Sequence, residues 1–146
     1  MKRIFASLSF ILLVGSTAVF AGDKTDVNAK IKESFKKEFA GVESVNWDEV
    51  GNYQRAAFLF HDRPVVAFFD EDGELLGSAR NVLFNQLPLT VIKSFDKRFA
   101  GAEFREMYEI SNGEGISYGI TFETENRRYH VKVNTDGNFL SAIKVK

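Results

Sequence analysis

The residues closest to a catalytic motif are Gly115-Ile116-Ser117-Tyr118-Gly119, which match the Gly-x-Ser-x-Gly pattern of a nucleophile elbow. An elbow needs a strand, a sharp turn and then a helix, so that the serine stands at the top of the turn. Around Ser117, apolar residues instead alternate with polar ones, as is typical of a half-buried strand: Ile116, Tyr118, Ile120 and Phe122. We therefore predict that Ser117 is an ordinary strand residue and that the protein is not an enzyme. A small serine hydrolase that uses Ser117 is the alternative.

Other side chains could in principle bind a metal ion or transfer protons. The chain has two histidines, His61 and His130, and nothing in their spacing indicates a metal site. We predict that both are solvated surface side chains. Asp70-Glu71-Asp72-Gly73 resembles part of a calcium loop, but the later ligands and the closing glutamate are missing. Because turn chemistry accounts for these residues, we predict no metal and no cofactor.

Two similar helices must position these residues. Ser34-Phe35-Lys36-Lys37-Glu38-Phe39-Ala40-Gly41 returns as Ser94-Phe95-Asp96-Lys97-Arg98-Phe99-Ala100-Gly101, with six of the eight residues identical. In both places apolar residues recur every four positions and form one buried stripe: Val27, Ile31, Phe35 and Phe39, then Val91, Phe95 and Phe99. Thr25 is the predicted N-cap of the first helix, and a glycine ends each helix.

Each helix is followed by four predicted strands. These lie at about 44–50, 53–59, 65–69 and 74–79, and then at about 104–110, 116–124, 128–133 and 139–145. Gly51-Asn52 is typical of a two-residue hairpin turn, and Asn134-Thr135-Asp136-Gly137 mirrors the acidic turn that begins at Asp70. The offset between the copies grows from 60 to 64 positions, so we expect four additional residues in the 111–115 loop.

The repeat of one helix and four strands predicts the fold class. One such unit covers the apolar face of its own sheet poorly, so two units that share a sheet are the natural arrangement. We predict an α+β fold with two tandem helix-plus-four-strand repeats, 22–83 and 84–146, in one shared domain. The helices should pack on one face of an antiparallel sheet of about eight strands.

Residues 1–21 have the features of a secretory signal peptide. Lys2 and Arg3 precede the apolar stretch from Ile4 to Val14, and Val19-Phe20-Ala21 suits cleavage. No later apolar run is long enough to span a bilayer, so we predict no membrane insertion. We expect an exported bacterial protein, periplasmic or secreted.

The composition of the remaining chain excludes several classes of partner. Without residues 1–21, 17 basic and 20 acidic residues remain, a formal charge of −3. That balance argues against a nucleic-acid or anionic-membrane partner. The absence of cysteine excludes disulfides, so stability must come from apolar burial, to which the 15 phenylalanines contribute.

With these elements in place, the chain resembles the PepSY-like, beta-lactamase-inhibitor-like exported proteins. The resemblance rests on the helix that ends in Phe-Ala-Gly, the Trp47 strand, the turn within Phe68-Phe69-Asp70-Glu71-Asp72-Gly73-Glu74-Leu75 and the Asn134-Thr135-Asp136-Gly137 turn. It covers nearly all of the chain after residue 21 and implies a tandem fold whose helices pack on one face of a curved sheet. The disulfides of the namesake inhibitor are absent, so inhibition of a beta-lactamase is not implied.

The two halves of the predicted sheet differ on the face away from the helices. In the second half this face holds Thr121, His130, Lys132 and a Glu123–Arg128 pair, all suited to water. In the first half the same register gives an apolar and aromatic surface, which we predict to be a partner-binding patch: Tyr53, Arg55, Leu59, Val66, Phe68 and Leu76. Alternatively, a segment such as Val82-Leu83-Phe84 covers it from within the chain.

These observations favour an exported, non-catalytic binding module that sequesters or inhibits a periplasmic protein or peptide. Besides the hydrolase alternative, a self-associating structural protein would use the same apolar face to form a homodimer. The sequence does not identify the partner.

Overall fold

The structure is a computed structural model that describes residues 26–145; the predicted signal peptide, residues 1–21, lies outside the described residues. The helices are α1 (Ala29–Glu38) and α2 (Leu89–Arg98), and Phe84–Gln86 form a short 3-10 turn between them. The strands are β1 (Val45–Val50), β2 (Tyr53–Phe60), β3 (Arg63–Phe69), β4 (Leu75–Asn81), β5 (Glu103–Asn112), β6 (Gly115–Thr124), β7 (Arg127–Asn134) and β8 (Phe139–Val145). We call α1 to β4 the first half and α2 to β8 the second half.

The helix ends follow from their sequences. The N-cap of α1 is Asn28, whose side chain accepts a hydrogen bond from the Lys30 amide at 2.9 Å. The prediction that Thr25 is the N-cap of α1 is therefore wrong. Thr25 itself lies outside the described residues. Both helices end as predicted: Gly41 and Gly101 have φ angles of +88° and +79°, which favour glycine.

All eight strands of residues 26–145 form one antiparallel sheet in the order β1 to β8. Each strand thus pairs with the next along the chain, and the two halves meet where β4 pairs with β5 over Gly77–Asn81 and Tyr108–Asn112. The prediction of two helices and an antiparallel sheet of about eight strands is confirmed at this level.

The additional residues of the second half do not lie where the sequence predicted. The β1–β2 hairpin turns at Gly51-Asn52, and the β5–β6 hairpin turns at Gly113-Glu114, so both turns have two residues. The strands are longer instead: β5 and β6 have 10 residues each against 6 and 8 in β1 and β2, which is six more. The connection from α2 to β5 is two residues shorter than that from α1 to β1, so the net difference is four residues. The expectation of a longer 111–115 loop is therefore wrong.

The core lies between the helices and one face of the sheet, which we call the inner face. In the first half, Ile31 and Phe35 of α1 pack with Ala56 and Phe58 of β2. In the second half, Val91 and Phe95 of α2 pack with inner-face residues: Ile120, Phe122, Val131 and Val133. The predicted helix stripes are thus buried. Because strand residues alternate between faces, the remaining side chains define the outer face.

No helix within residues 26–145 is long and apolar enough to cross a membrane.

Candidate functional site

The outer face is the candidate site, because α1 and α2 both pack on the inner face. The 3-10 turn also lies on the inner side, since the Phe84 ring packs on Phe104 at 4.8 Å and Val82 joins the second-half core. Leu83 is exposed. The alternative that Val82-Leu83-Phe84 covers the outer face of the first half is therefore wrong.

The centre of the outer face is a small apolar cluster. It consists of Phe68, Ala79 and Ile110, which we call the outer cluster, and its partly buried neighbours are Val66, Leu76 and Tyr108. The register explains the contact, because Phe68 pairs with Gly77, Val66 with Ala79, and Ala79 in turn with Ile110. The cluster therefore joins β3 and β4 of the first half to β5 of the second half.

Phe68 is 0% exposed, so the prediction that it is an accessible part of a binding patch is wrong. Two local features account for its burial. Its cross-strand neighbour Gly77 has no side chain, and a β-bulge between Phe68 and Phe69 changes the local geometry. The phenylalanine therefore finds room against small residues of β4 instead of projecting into solvent.

Arg55 is buried as well, so the prediction that it is an accessible member of the partner-binding patch is wrong. Its Nε donates a hydrogen bond to Asp48 Oδ1 at 2.8 Å, and its second guanidinium nitrogen donates to Asp48 Oδ2. This two-pronged pair across β1 and β2 fixes the planar guanidinium, a geometry that suits arginine better than lysine. Arg55 thus stabilises the strand pairing at the first-half edge of the outer face.

The other predicted patch residues surround these two buried side chains. Leu59 is 61% exposed, while Tyr53, Val66 and Leu76 are half-buried. The structure therefore places all six predicted residues on one face, but two of them are buried and four are at least partly exposed. We call Tyr53, Leu59, Val66 and Leu76 the accessible rim.

On the second-half part of the outer face, β6 and β7 present polar side chains as predicted, whereas β8 adds Ile143 and Val145, which are 48% and 39% exposed. His130 is not a solvated side chain. Its Nδ1 lies 2.7 Å from the Thr121 hydroxyl, and its Nε2 is buried without a hydrogen-bond partner in residues 26–145. Burial lowers the pKa of His130, and the nearby charge of Glu106 opposes that shift. The neutral imidazole is therefore the favoured form in the folded protein.

An ionic network lies at the end of this polar surface. The predicted Glu123–Arg128 pair is confirmed at 2.6 Å, and Arg105 also binds Glu123 at 2.8 Å and Glu103 at 3.1 Å. The hydrogen bond from Arg105, followed by that from Arg128, holds the pKa of Glu123 below its usual value. Glu123 is 28% exposed and its three partners are about half exposed or more, so the network contributes little to stability.

Ser117 is buried within β6 and pairs with Ile110 and Asn134 across the sheet. His130 pairs with Thr121, four residues farther along β6, which corresponds to about 13 Å at the usual strand rise. His61 lies in the exposed turn between β2 and β3. The structure therefore does not bring Ser117 within hydrogen-bond reach of His130, and its surroundings are those of a strand residue.

The acidic turn has the turn chemistry predicted for it. Asp70 Oδ1 accepts hydrogen bonds from the amides of Asp72 and Glu74 at 3.0 and 2.8 Å, so this oxygen caps the turn. No group of three or more metal-ligating side chains occurs within residues 26–145.

Sequence reasoning missed a polar cluster on the inner face. Arg80 of β4 donates to Glu109 of β5 at 2.9 Å, and the Tyr118 hydroxyl donates to the same carboxylate at 3.2 Å. Burial, and then the charge of Glu109, raises the pKa of Tyr118. Arg80 and Glu109 are 29 residues apart, so only the β4–β5 register, which joins the halves, could have indicated their contact.

An eight-stranded antiparallel sheet with two helices on one face places the described chain among proteins of BLIP-like fold. It is similar to a BLIP-like protein from Bacteroides fragilis, with a TM-score of 0.74 and 18% identity over 83% of this chain and 88% of that one. A DUF2874 family protein from Bacteroides ovatus has a TM-score of 0.76 and 19% identity over 85% and 90%. A protein from Bacteroides eggerthii, named provisionally as periplasmic, has a TM-score of 0.76 and 15% identity over 83% and 91%.

No family model and no curated protein matches the sequence. At these identities the similar structures show the fold alone.

Proposed function

We propose that this protein is an exported, non-catalytic binding module whose outer face binds a periplasmic protein or peptide and so sequesters or inhibits it. One observation carries the proposal: the helices pack on the inner face, while the outer face of the first half presents an apolar surface. Corresponding strands of the second half present polar side chains instead, among them Thr121 and His130. Exposed apolar side chains grouped on one face of a sheet are typical of a protein–protein contact.

Within this proposal, the accessible rim contacts the partner, and the buried residues Phe68 and Arg55 hold the rim in place. Leu59 offers the largest exposed apolar side chain of the rim, and Tyr53 adds an aromatic ring. Phe68 and the Arg55–Asp48 pair fix the strands beneath and beside the rim. A surface that is already rigid loses less entropy when a partner binds.

Export is part of the proposal. It is supported by the composition of residues 1–21 and by the provisional periplasmic name of the Bacteroides eggerthii protein. The non-catalytic part is supported by the separation of Ser117 from His130, because a histidine at that distance cannot act as the base for the serine in the hydrolase alternative.

We further propose that the halves are duplicated PepSY-like units, 22–83 and 84–146. Two equivalent contacts support this. Asn134 Oδ1 accepts from the amides of Asp136 and Asn138 at 3.1 and 2.9 Å, as Asp70 does in its own turn. In both halves the turn glycine lies against the preceding helix: a Cβ would lie 3.1 Å from the Lys30 carbonyl oxygen at Gly73, and 2.5 Å from that of Thr90 at Gly137.

A pull-down from the native exported fraction tests the binding role. The bait is the exported protein, compared with Leu59→Asp on the outer face and Leu89→Asp on α2, both at strongly exposed leucines. The wild type and Leu89→Asp should retain the same partner, and Leu59→Asp should lose it, because an unpaired charge would be desolvated at the contact. If all three baits retain the partner equally, the outer face is not the binding surface.

A further inference from the structure

The sheet has two edge strands within residues 26–145, β1 and β8. An edge strand presents a row of unpaired backbone N–H and C=O groups, which can pair with a strand of another chain. Proteins usually prevent such pairing with charged side chains, proline or short edge strands. The two edges of this sheet differ in that respect.

Strand β1 has the features of a protected edge. It is six residues long and carries two consecutive acidic residues, Asp48 and Glu49. Its large apolar side chains, Val45, Trp47 and Val50, are only partly exposed. Two β1 strands that approached each other would bring their Glu49 carboxylates together, since Asp48 already binds Arg55, and like charges across a strand pair are destabilising.

Strand β8 has less of this protection, although a β-bulge at Leu140 shifts its pairing with β7, where Lys132 pairs with Ser141 and Val133 with Phe139. Strand β8 has seven residues, and Lys144 is its one charged residue. Leu140, Ile143 and Val145 are 55%, 48% and 39% exposed, which places three large apolar side chains of one edge strand in solvent. An exposed apolar edge of this kind is a predicted site of strand pairing.

We propose that β8 pairs with β8 of a second copy of this chain, antiparallel, to form a closed dimer. The strand is self-complementary in the register that places Ala142 opposite Ala142. Ser141 then lies opposite Ile143, and Lys144 lies opposite the bulged Leu140, so the two lysines never face each other. Paired β-branched and long side chains across strands add to the backbone hydrogen bonds.

The symmetry of this pairing limits the assembly to two chains. A two-fold axis perpendicular to the sheet uses the same edge of both copies, so the assembly closes at two chains. The eight strands of each copy then form one continuous sheet, and both outer faces lie on the same side. Pairing of β8 with β1 would leave a free edge at each end and would build open chains instead. The dimer is independent of the proposed binding function.

Light scattering coupled to size-exclusion chromatography measures the assembly directly. The protein, expressed as the full chain and purified from the exported fraction, should elute with twice the mass of one copy. Ile143→Lys should convert it to a monomer with an unchanged far-UV circular dichroism spectrum, and Asn46→Lys on the exposed part of β1 should remain dimeric. A monomeric wild type overturns the proposal, and so does a series of larger species.

A cysteine cross-link tests the register without relying on the lysine variant. Since the chain contains no cysteine, a single introduced thiol can bond only to its copy in a second chain. Ala142→Cys should form a covalent dimer under mild oxidation, because opposite residues of antiparallel strands lie about 4.5–5.5 Å apart at Cα. Asn46→Cys should remain monomeric on a non-reducing gel. Equal cross-linking of both variants would overturn the proposal.

Discussion

Replacement of Phe95 by alanine should lower the free energy of unfolding by about 4 kcal/mol. The Phe95 ring is buried under α2, and its centroid lies 5.3 Å from that of Phe104, 5.3 Å from that of Phe122 and 5.2 Å from that of Phe139. A buried phenylalanine removes about 200 Å² of surface from water, which corresponds to about 5 kcal/mol at 25 cal/mol per Å². Alanine keeps part of this burial, and measured Phe→Ala losses are about 3–5 kcal/mol.

Urea unfolding followed by Trp47 fluorescence is the informative assay. Trp47 is the only tryptophan of the chain, and it lies in the first half, with its ring 5.3 Å from that of Phe35. The substitution lies in the second half. With a denaturant slope of about 2 kcal/mol per molar urea, 4 kcal/mol moves the midpoint by about 2 M. Because β4 and β5 pair continuously, Trp47 fluorescence and far-UV circular dichroism should shift together.

Leu89→Ala is the matched control, since Leu89 begins the same helix and is 70% exposed. It should change the free energy of unfolding by less than about 0.5 kcal/mol. A Phe95→Ala loss below about 1 kcal/mol would refute the burial argument. A Trp47 midpoint that stays at the wild-type value, while the circular dichroism becomes biphasic, would refute the shared core.

Other variants test the remaining structural conclusions. Phe68→Asp should unfold the protein or lower its free energy of unfolding by at least about 3–5 kcal/mol, because it replaces a fully buried ring by a charge. An unchanged thermal melting temperature would contradict this. Ser117→Ala should leave any hydrolytic activity of the purified protein unchanged, and loss of such activity in the folded variant would defeat the non-enzyme proposal. His130 makes stability depend on pH, because its pKa in the folded protein lies below the usual 6.5. As the pH falls, the unfolded chain therefore binds the proton first. The free energy of unfolding should decrease as the pH drops below 6.5. His130→Gln should reduce that slope in urea titrations between about pH 7 and pH 5, and an identical slope would contradict the assignment.

The sequence predicted the helices, the strands and most turns because these depend on short patterns. The stripe of Ile31 and Phe35 repeats with the helical period, and Gly41 and Gly101 adopt the positive φ that stops each helix. Asp70 illustrates the turns, since its side chain caps amides only two and four residues away. Such contacts are complete within a few residues, so one sequence is sufficient to recognise them.

The depth of outer-face residues could not be predicted in the same way. A period of two assigns Phe68 to the correct face, but it does not show that Gly77 lies opposite or that a bulge follows. Similarly, His130 was correctly placed on the outer face, although its burial depends on neighbours from adjacent strands. The Arg80–Glu109 pair requires the β4–β5 register, which no local pattern contains.

The depth of these residues also determines which variants can separate binding from folding. Phe68 of the first half packs with Ile110 of the second, so the outer cluster connects the halves on the side that the helices do not reach. A substitution in the outer cluster changes both the stability of the sheet and the binding surface. Loss of a partner could then result from either change. Leu59 lies on the same face but is mostly in solvent. A charge at Leu59 should therefore change the contact surface while the outer cluster remains intact, which makes the rim, and not Phe68, the place to test the binding proposal.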